Sequence, residues 1–271
     1  MSMSRDRKKN AGRRYWPKHV APADKMLFQT VSKLDASQWW PEERLVNLQQ
    51  QRLARLLNFA KDNTDYFSEA LKGFGTFTPE QLTEDFVRSL PITDKQAIQS
   101  EGSRFIARQH DPRFGRLAEF KTSGSVSKPV TITWNSYANI FTRAKLFRYH
   151  QWHGSDPKKK FSSLRLIPLE EDGTSKGIRA RDWYPLIPGG ESVAQTATWP
   201  IAKQMEWLQR EDPNYLFTYP TNADALVRYA SENGISLPQL ERIDGFGEVM
   251  VEHLSSFAKD VFDCTVADKY S

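Results

Sequence analysis

Apolar residues recur at three- and four-residue spacings through the first third of the chain, and such spacing is typical of amphipathic helices. The longest stretch, EERLVNLQQQRLARLLNFAKDN, predicts a helix over residues 42–63 with one apolar face. Shorter helices are predicted in TDYFSEALKG, in TPEQLTEDFVRSL and, after a Thr93 cap, in DKQAIQSEG. Residues 23–110 are therefore expected to form a helical region.

The pattern changes after about residue 115. AEFK and VTITW alternate apolar and polar residues, which predicts two strands joined by the polar loop TSGSVSKP, and a helix is predicted from Ser136 to about His150. Short apolar runs follow, and the later ones alternate with helical patterns; the runs cover residues 164–168, 215–218, 240–244 and 264–267. This alternation predicts an α/β fold over residues 111–271, with a mainly parallel sheet flanked by helices.

Composition excludes several classes of protein. The 271 residues are 39% hydrophobic and 26% charged, which excludes disorder throughout the chain. No apolar stretch approaches the roughly 18 residues that a bilayer span requires, and no apolar segment follows the basic N-terminus as a secretory signal would need. The single Cys264 cannot form an internal disulfide and is expected to be a buried, inert thiol. We expect a cytoplasmic protein.

Positive charge is concentrated at the N-terminus. Residues 1–19 hold seven basic residues and one acidic residue, whereas the whole chain has a net charge of +5, so the remainder is slightly negative. Residues 1–22 are expected to be a disordered basic tail. Such a tail could bind nucleic acid, but this alternative rests on the tail alone, and nucleic acid is not the expected partner.

The loop between the first two predicted strands has the composition of a phosphate-binding segment. It places hydroxyls, a glycine and a lysine close together, in Thr122, Ser123, Gly124, Ser125 and Lys128. Hydroxyl, backbone N–H and ammonium donors all suit a phosphate group, although an exposed hairpin loop has a similar composition. The spacing excludes a Walker loop.

Two histidines lie three residues apart at the end of a predicted helix. His150 and His153 could share a metal ion, but no cluster of Cys or carboxylate residues accompanies them. A favourable interaction of protonated imidazoles with the helix C-terminus is the preferred interpretation, and no metal site is predicted.

Tyr219 and Pro220 lie at the end of a predicted strand. Ligands of open α/β sheets collect at the carboxyl ends of the strands. These two residues are therefore expected to contact a ligand bound at this edge of the sheet.

Several segments together resemble a known family. TSGSVSKP resembles the TSGSTGKP-type signature of adenylate-forming enzymes, in particular the phenylacetate-CoA ligase and CapK-like branch. The resemblance extends over about residues 41–271 and includes, in the same order, LQQQRLARLLNFAKDNTDYF, SLPITDKQAIQ, LFTYPTNADALVRYASENGI, RIDGFGEVM and VFDCTVADKYS.

This resemblance implies an ATP-dependent ligase that converts a carboxylic acid to an acyl-adenylate with the help of Mg²⁺, and then transfers the acyl group, with coenzyme A as the expected acceptor. It implies that Thr122, Ser123, Gly124, Ser125 and Lys128 hold the β- and γ-phosphates. It also implies that Gly247 and Glu248 lie beside the adenine and that Tyr270 stacks on it. In such a ligase, Tyr219 and Pro220 at the strand end are the residues expected to contact the acyl group.

Two departures from the family pattern affect this expectation. Val126 and Ser127 replace the usual Thr and Gly of the loop, and Ser271 replaces the Gly of a Tyr-Gly-x-x-Glu motif in which the chain ends. The Mg²⁺-binding Glu and the lid domain with the catalytic Lys would lie beyond this end. We therefore expect a fragment, a truncated product or a degenerate relative that does not complete adenylation alone.

The alternative function is that of a non-catalytic ligase-like domain that binds a nucleotide or a protein partner. An incomplete α/β sheet would also leave apolar surface uncovered, which predicts self-association.

Overall fold

A computed structural model describes residues 14–121, 129–167, 170 and 176–269. These residues divide into two compact units, Pro22–Arg148 and a second unit formed by residues 14–21 together with 149–269. Among the described residues, no helix is long and apolar enough to cross a membrane.

The first unit is mostly helical and contains a small hairpin. Its helices are α1 (Lys25–Ser37), α2 (Glu42–Asn63), α3 (Asp65–Ala70), α4 (Glu84–Arg88) and α5 (Lys95–Glu101). Strands β1 (Leu117–Lys121) and β2 (Thr131–Asn135) pair antiparallel, and α6 (Ser136–Trp152) then continues into the second unit. The apolar face of α2 contributes to a core around Ala54, Leu71, Phe77 and Leu82.

Two helix boundaries in this unit differ from the prediction. The helix predicted in TPEQLTEDFVRSL is a 3₁₀ turn, Pro79–Gln81, followed by α4. Thr83 has extended backbone geometry, and its hydroxyl accepts a hydrogen bond from the Phe86 N–H at 3.3 Å, so it begins a new helix. The cap of α5 is Asp94 rather than Thr93, because the Asp94 carboxylate accepts from the Ala97 N–H at 2.7 Å.

The second unit is built on a mostly parallel sheet, which confirms the predicted fold class. Within the described part of the chain the strand order is β4-β5-β3-β6-β7-β8, and only the edge pair β4–β5 is antiparallel. The strands are β3 (Phe161–Arg165), β4 (Ile178–Arg181), β5 (Glu191–Thr196), β6 (Tyr215–Thr218), β7 (Arg242–Gly245) and β8 (Thr265–Asp268). The flanking helices are α7 (Ile201–Glu211), α8 (Pro220–Asn233) and α9 (Leu254–Phe262).

The two faces of this sheet have different chemistry. Alternate residues of a strand point to opposite faces. On one face, Leu216 of β6 and Ile243 of β7 join the main core, to which α7, α8 and α9 contribute Leu208, Leu226 and Leu254. On the other face lie Phe217 of β6 and the charged residues Arg242 and Asp244 of β7, so the centre of the sheet carries buried charge on the face opposite the main core.

Candidate functional site

Part of the predicted nucleotide site lies outside the described residues. This applies to Thr122, Ser123, Gly124, Ser125, Lys128 and Tyr270, and also to the departures Val126, Ser127 and Ser271. The two predicted strands on either side of the loop are present as β1 and β2, with Lys121 opposite Thr131.

The remaining predicted residues are brought together at the carboxyl edge of the parallel strands. Thr218, Gly245 and Asp268 are in register across β6, β7 and β8. Tyr219 follows β6 directly, and Gly247 and Glu248 lie two and three residues beyond Gly245. This edge is where open α/β sheets place their ligands.

Glu248 is anchored to the start of a helix. One of its carboxylate oxygens accepts hydrogen bonds from the Thr221 backbone N–H at 3.1 Å and from the Thr221 hydroxyl at 2.7 Å. Thr221 is the second residue of α8, whose first residue, Pro220, lacks an N–H to satisfy. The helix dipole also favours a negative charge at this end. The hydrogen bonds of Glu248 therefore connect the turn after β7 to the N-terminus of α8. Pro220 itself is buried against this turn and does not present a free surface to a ligand.

The turn after β7 requires glycine at two positions. Gly247 has a φ of +75°, a conformation that residues with a Cβ rarely adopt. A Cβ on Gly245 would lie 2.7 Å from the methyl carbon of Met250 and 3.2 Å from Pro220, so this strand end packs closely on α8. The backbone of residues 245–247, next to Tyr219, therefore has little freedom to change conformation.

Three aromatic side chains form a wall at this edge, which we call the aromatic wall. The rings of Phe217 and Phe246 stack with centres 4.0 Å apart and planes 11° apart, and the Tyr219 ring lies 4.6 Å from Phe246. All three are partly buried. The sequence interpretation identified only Tyr219. The spacing of two between Phe217 in β6 and Tyr219 just after it could have indicated the shared face, but the stacking of Phe246 depends on the register between β6 and β7.

A buried ionic cluster lies on the same face of the sheet. The guanidinium of Arg242 donates to both oxygens of Asp244, at 2.5 Å from Nε and 3.1 Å from Nη2, and the Tyr149 hydroxyl donates to Asp244 at 2.8 Å. Arg242 also donates to the Ser155 hydroxyl at 2.8 Å. Burial, followed by the charge of Asp244, raises the pKa of Tyr149 far above its usual value, so this hydroxyl remains a proton donor.

The position of His150 corrects the sequence interpretation. His150 is buried, and its Nδ1 lies 3.2 Å from the Ser155 hydroxyl. Burial and, secondarily, the charge of Arg242 hold the pKa of His150 well below its usual value. Burial likewise lowers the pKa of His153. Both imidazoles are therefore neutral near pH 7 rather than cations at a helix terminus.

Ser155 links this imidazole to the ionic cluster. Because a guanidinium can only donate, the Ser155 oxygen accepts from Arg242, and the hydroxyl can in addition either donate to His150 Nδ1 or accept from it.

Lys269 joins the ionic cluster to the aromatic wall. Its ammonium nitrogen lies 4.6 Å from the centre of the Phe217 ring and 5.3 Å from that of Tyr149. Burial lowers the pKa of Lys269, and the negative charge of Asp244 opposes this effect. The sequence interpretation missed Lys269, because the sequence alone does not distinguish a partly buried lysine after an apolar strand from a solvent-exposed one.

Cys264 is buried, as predicted, and its sulfur lies 3.7 Å from the Ala258 carbonyl oxygen. Within the described ranges, no group of three or more His, Cys, Asp or Glu side chains could hold a metal ion.

Comparison with known proteins shows which folds this chain resembles. No family model matches the chain. The chain is 22% identical over 231 residues to protein CapK of Staphylococcus aureus, which corresponds to 84% of this chain and 50% of CapK.

Two solved structures of 2-hydroxyisobutyryl-CoA ligase are similar in fold. The postadenylation state in complex with 2-HIB-AMP has a TM-score of 0.66 and 15% identity, covering 95% of this chain and 54% of the ligase chain. The open conformation in complex with 2-HIB-AMP and CoA has a TM-score of 0.64 and 16% identity, covering 94% and 54%.

The chain therefore has the fold of the N-terminal domain of adenylate-forming enzymes, and the predicted resemblance to this superfamily is confirmed. It spans about half the length of the relatives that it matches.

Proposed function

We propose that this chain contributes the nucleotide- and acid-binding part of an ATP-dependent carboxylate ligase. In this reaction a carboxylate oxygen attacks the α-phosphorus of ATP, pyrophosphate leaves, and the acyl-adenylate that results passes its acyl group to a thiol, with coenzyme A as the proposed acceptor. The observation that carries the proposal is the convergence of Tyr219, Phe246, Gly247 and Glu248 at the carboxyl edge of a sheet whose fold is shared with CoA ligases.

The described residues supply two parts of such a site. Gly247 brings the exposed backbone of this turn against the Tyr219 ring, because a Cβ at this position would already be in van der Waals contact with the ring at 3.5 Å. A flat adenine could lie along this exposed turn, with Glu248 fixed next to it by Thr221. The aromatic wall would line the acyl group, since an apolar wall with few polar groups is typical of small-molecule sites.

The remaining parts are assigned by resemblance. Thr122, Ser123, Gly124, Ser125 and Lys128 are proposed to hold the β- and γ-phosphates, and Tyr270 is proposed to stack on the adenine. Charge that develops on the phosphoryl oxygens is stabilised by fixed donors and cations of this kind. Mg²⁺ would neutralise phosphate charge, but the described residues contain no metal-binding cluster, so we assign it no ligand in this chain.

Calorimetric titration of the full chain with ATP and Mg²⁺ tests the proposal directly. We expect saturable binding that weakens at least tenfold in the Lys128→Ala and Ser123→Ala variants, since each removes a phosphate donor. Lys259→Ala is the matched control, because that lysine is exposed on α9 and paired with Asp263. Absence of ATP binding to the folded wild-type chain would contradict the proposal and favour a degenerate domain that binds a partner.

Exchange of radioactive pyrophosphate into ATP measures adenylation itself. A panel of aromatic and short aliphatic acids is added to the chain with ATP and Mg²⁺. Exchange that depends on one acid and is lost in Lys128→Ala would demonstrate the reaction and identify the acid. ATP binding without exchange for any acid would restrict the function of this chain to nucleotide binding.

A further inference from the structure

Lys269 lies deeper than the edge at which the nucleotide is proposed to bind. Its backbone N–H donates to the Gly245 carbonyl oxygen at 2.8 Å and so continues the ladder just past the end of β8. Its ammonium nevertheless lies over the ring of Phe217, which precedes Tyr219 by two residues. Since a strand rises about 3.3 Å per residue, Phe217 lies roughly 3 Å before the end of β6 and roughly 7 Å before Tyr219. The positive charge is therefore at the inner end of the aromatic wall.

The local charges leave Lys269 uncompensated. The Asp244 carboxylate lies on the same sheet face, but Arg242 pairs with both of its oxygens and Tyr149 donates to one of them. Among the described residues no carboxylate forms an ion pair with Lys269, and the neighbouring His150 is neutral. The side chains of Arg242, Asp244 and Lys269 therefore sum to one positive charge.

A cation in this setting is suited to an anionic ligand. The faces of Phe217 and Tyr149 attract the ammonium and hold it in place. Partial burial removes some of the water around the Lys269 ammonium. A bound anion compensates for this lost solvation by accepting a charge-assisted hydrogen bond from the ammonium. The aromatic wall leads from the strand ends toward this cation and offers flat apolar contact along the way.

We infer that Lys269 makes the site select a planar acid with a second anionic group at the end remote from the reacting carboxylate. This inference rests on the proposed function, because it takes the reacting carboxylate to lie at the strand ends next to the nucleotide. The substrate class is then an aromatic dicarboxylate or a similarly shaped, doubly charged acid. Lys269 acts as a specificity-determining residue that contacts the far end of the substrate.

Two probes with the same substituted ring but different charge test this inference. Isophthalate carries two carboxylates, and its monomethyl ester carries one on the same ring. Each is titrated into the full chain by calorimetry, first for the wild type and then for three variants. Lys269→Met keeps the length of the side chain and removes its charge, Lys269→Arg keeps the charge, and Lys259→Met removes an exposed charge elsewhere.

The wild type is expected to bind isophthalate at least tenfold more tightly than the monoester, as one charge-assisted hydrogen bond implies. Lys269→Met should reduce this preference to less than twofold, while Lys269→Arg and Lys259→Met should retain it. Circular dichroism spectra that match the wild type show that the variants are folded.

Equal affinity of the wild type for the two probes, or a preference that persists in Lys269→Met, would overturn the inference. Failure of the wild type to bind either probe would also overturn it. ATP titration of the same samples keeps the two proposals distinct. ATP binding without a preference for isophthalate refutes only the role of Lys269, whereas that preference without ATP binding refutes only the nucleotide function.

Discussion

The ion pair between Arg242 and Asp244 gives the sharpest prediction about stability. Their side chains are only 5% and 1% exposed, so the charge of each is compensated almost entirely by the other. Asp244→Asn keeps the shape of the side chain but removes its charge. The guanidinium of Arg242 then remains buried without a counter-ion, and the new amide N–H₂ group faces its N–H donors.

The size of the effect follows from these contacts. Asp244 accepts three hydrogen bonds, two from Arg242 and one from Tyr149, and two of them are at 2.8 Å or less. Removal of one partner from a buried, hydrogen-bonded ion pair costs about 3–5 kcal/mol. This is a large part of the roughly 5–15 kcal/mol by which a domain is usually stable. We therefore expect Asp244→Asn to lower the free energy of unfolding by about 3–5 kcal/mol.

Urea unfolding, followed by circular dichroism and by tryptophan fluorescence, measures this loss. Arg242→Met removes the uncompensated charge, so the double variant Arg242→Met/Asp244→Asn should be less destabilised than the sum of the two single variants, by roughly 1–3 kcal/mol. Glu84→Gln breaks an exposed pair with Arg88 and serves as the control, with a change close to the error of the measurement. Losses that are strictly additive, or an Asp244→Asn loss below about 1 kcal/mol, would refute the reasoning.

Three further predictions concern the fold and its response to pH. Leu208→Ala, at a fully buried core position, should lower the free energy of unfolding in urea by about 2–5 kcal/mol. Gly190→Ala should lower the free energy of unfolding by about 1–3 kcal/mol, because its Cβ would lie 2.2 Å from the Trp183 indole nitrogen. A Cβ at Gly73 would meet nothing within 4 Å, so Gly73→Ala should show no steric loss in the same assay. The pKa of the buried His150 is lowered, so below about pH 6.5 its imidazole is protonated in the unfolded chain but not in the folded chain. The free energy of unfolding should therefore fall between pH 7 and 5 by up to about 1.4 kcal/mol per pH unit. A pH series in which His150→Asn does not reduce this slope would contradict the assignment.

The sequence predicted the fold class well because the elements that define it have strong local signals. Helix α2 occupies the predicted residues 42–63, and the strands β6, β7 and β8 coincide with short apolar runs next to amphipathic helices. Strands β4 and β5 were not predicted, since IRAR and ESVAQT carry too few apolar residues to show a period. Their strand conformation depends on pairing with each other and on the contact of β5 with β3.

The site was less predictable for a different physical reason. Tyr219, Gly247 and Glu248 could be identified because they belong to segments that resemble a family or follow an apolar strand. The hydrogen bonds from Thr221 to Glu248, the stacking of Phe246 on Phe217 and the position of Lys269 join residues 20 or more positions apart. Such contacts depend on the register of neighbouring strands, and one-dimensional patterns do not contain that register.

The period of two along β7 separates stability from selectivity in this sheet. Ile243 points into the main core, whereas Arg242 and Asp244 point to the opposite face. The apolar face therefore supplies most of the folding free energy through burial of the main core. The charged face contributes little net stability, since the desolvation of a buried ion pair offsets most of its attraction.

The neutralisation of Arg242 by Asp244 has a second consequence, for selectivity. Because these two charges cancel, the electrostatic field along the aromatic wall is dominated by the single charge of Lys269. Asp244→Asn should therefore also change the preference for a doubly charged acid, since it adds a second uncompensated cation next to Lys269 and should strengthen the binding of isophthalate relative to its monoester in every sample that remains folded.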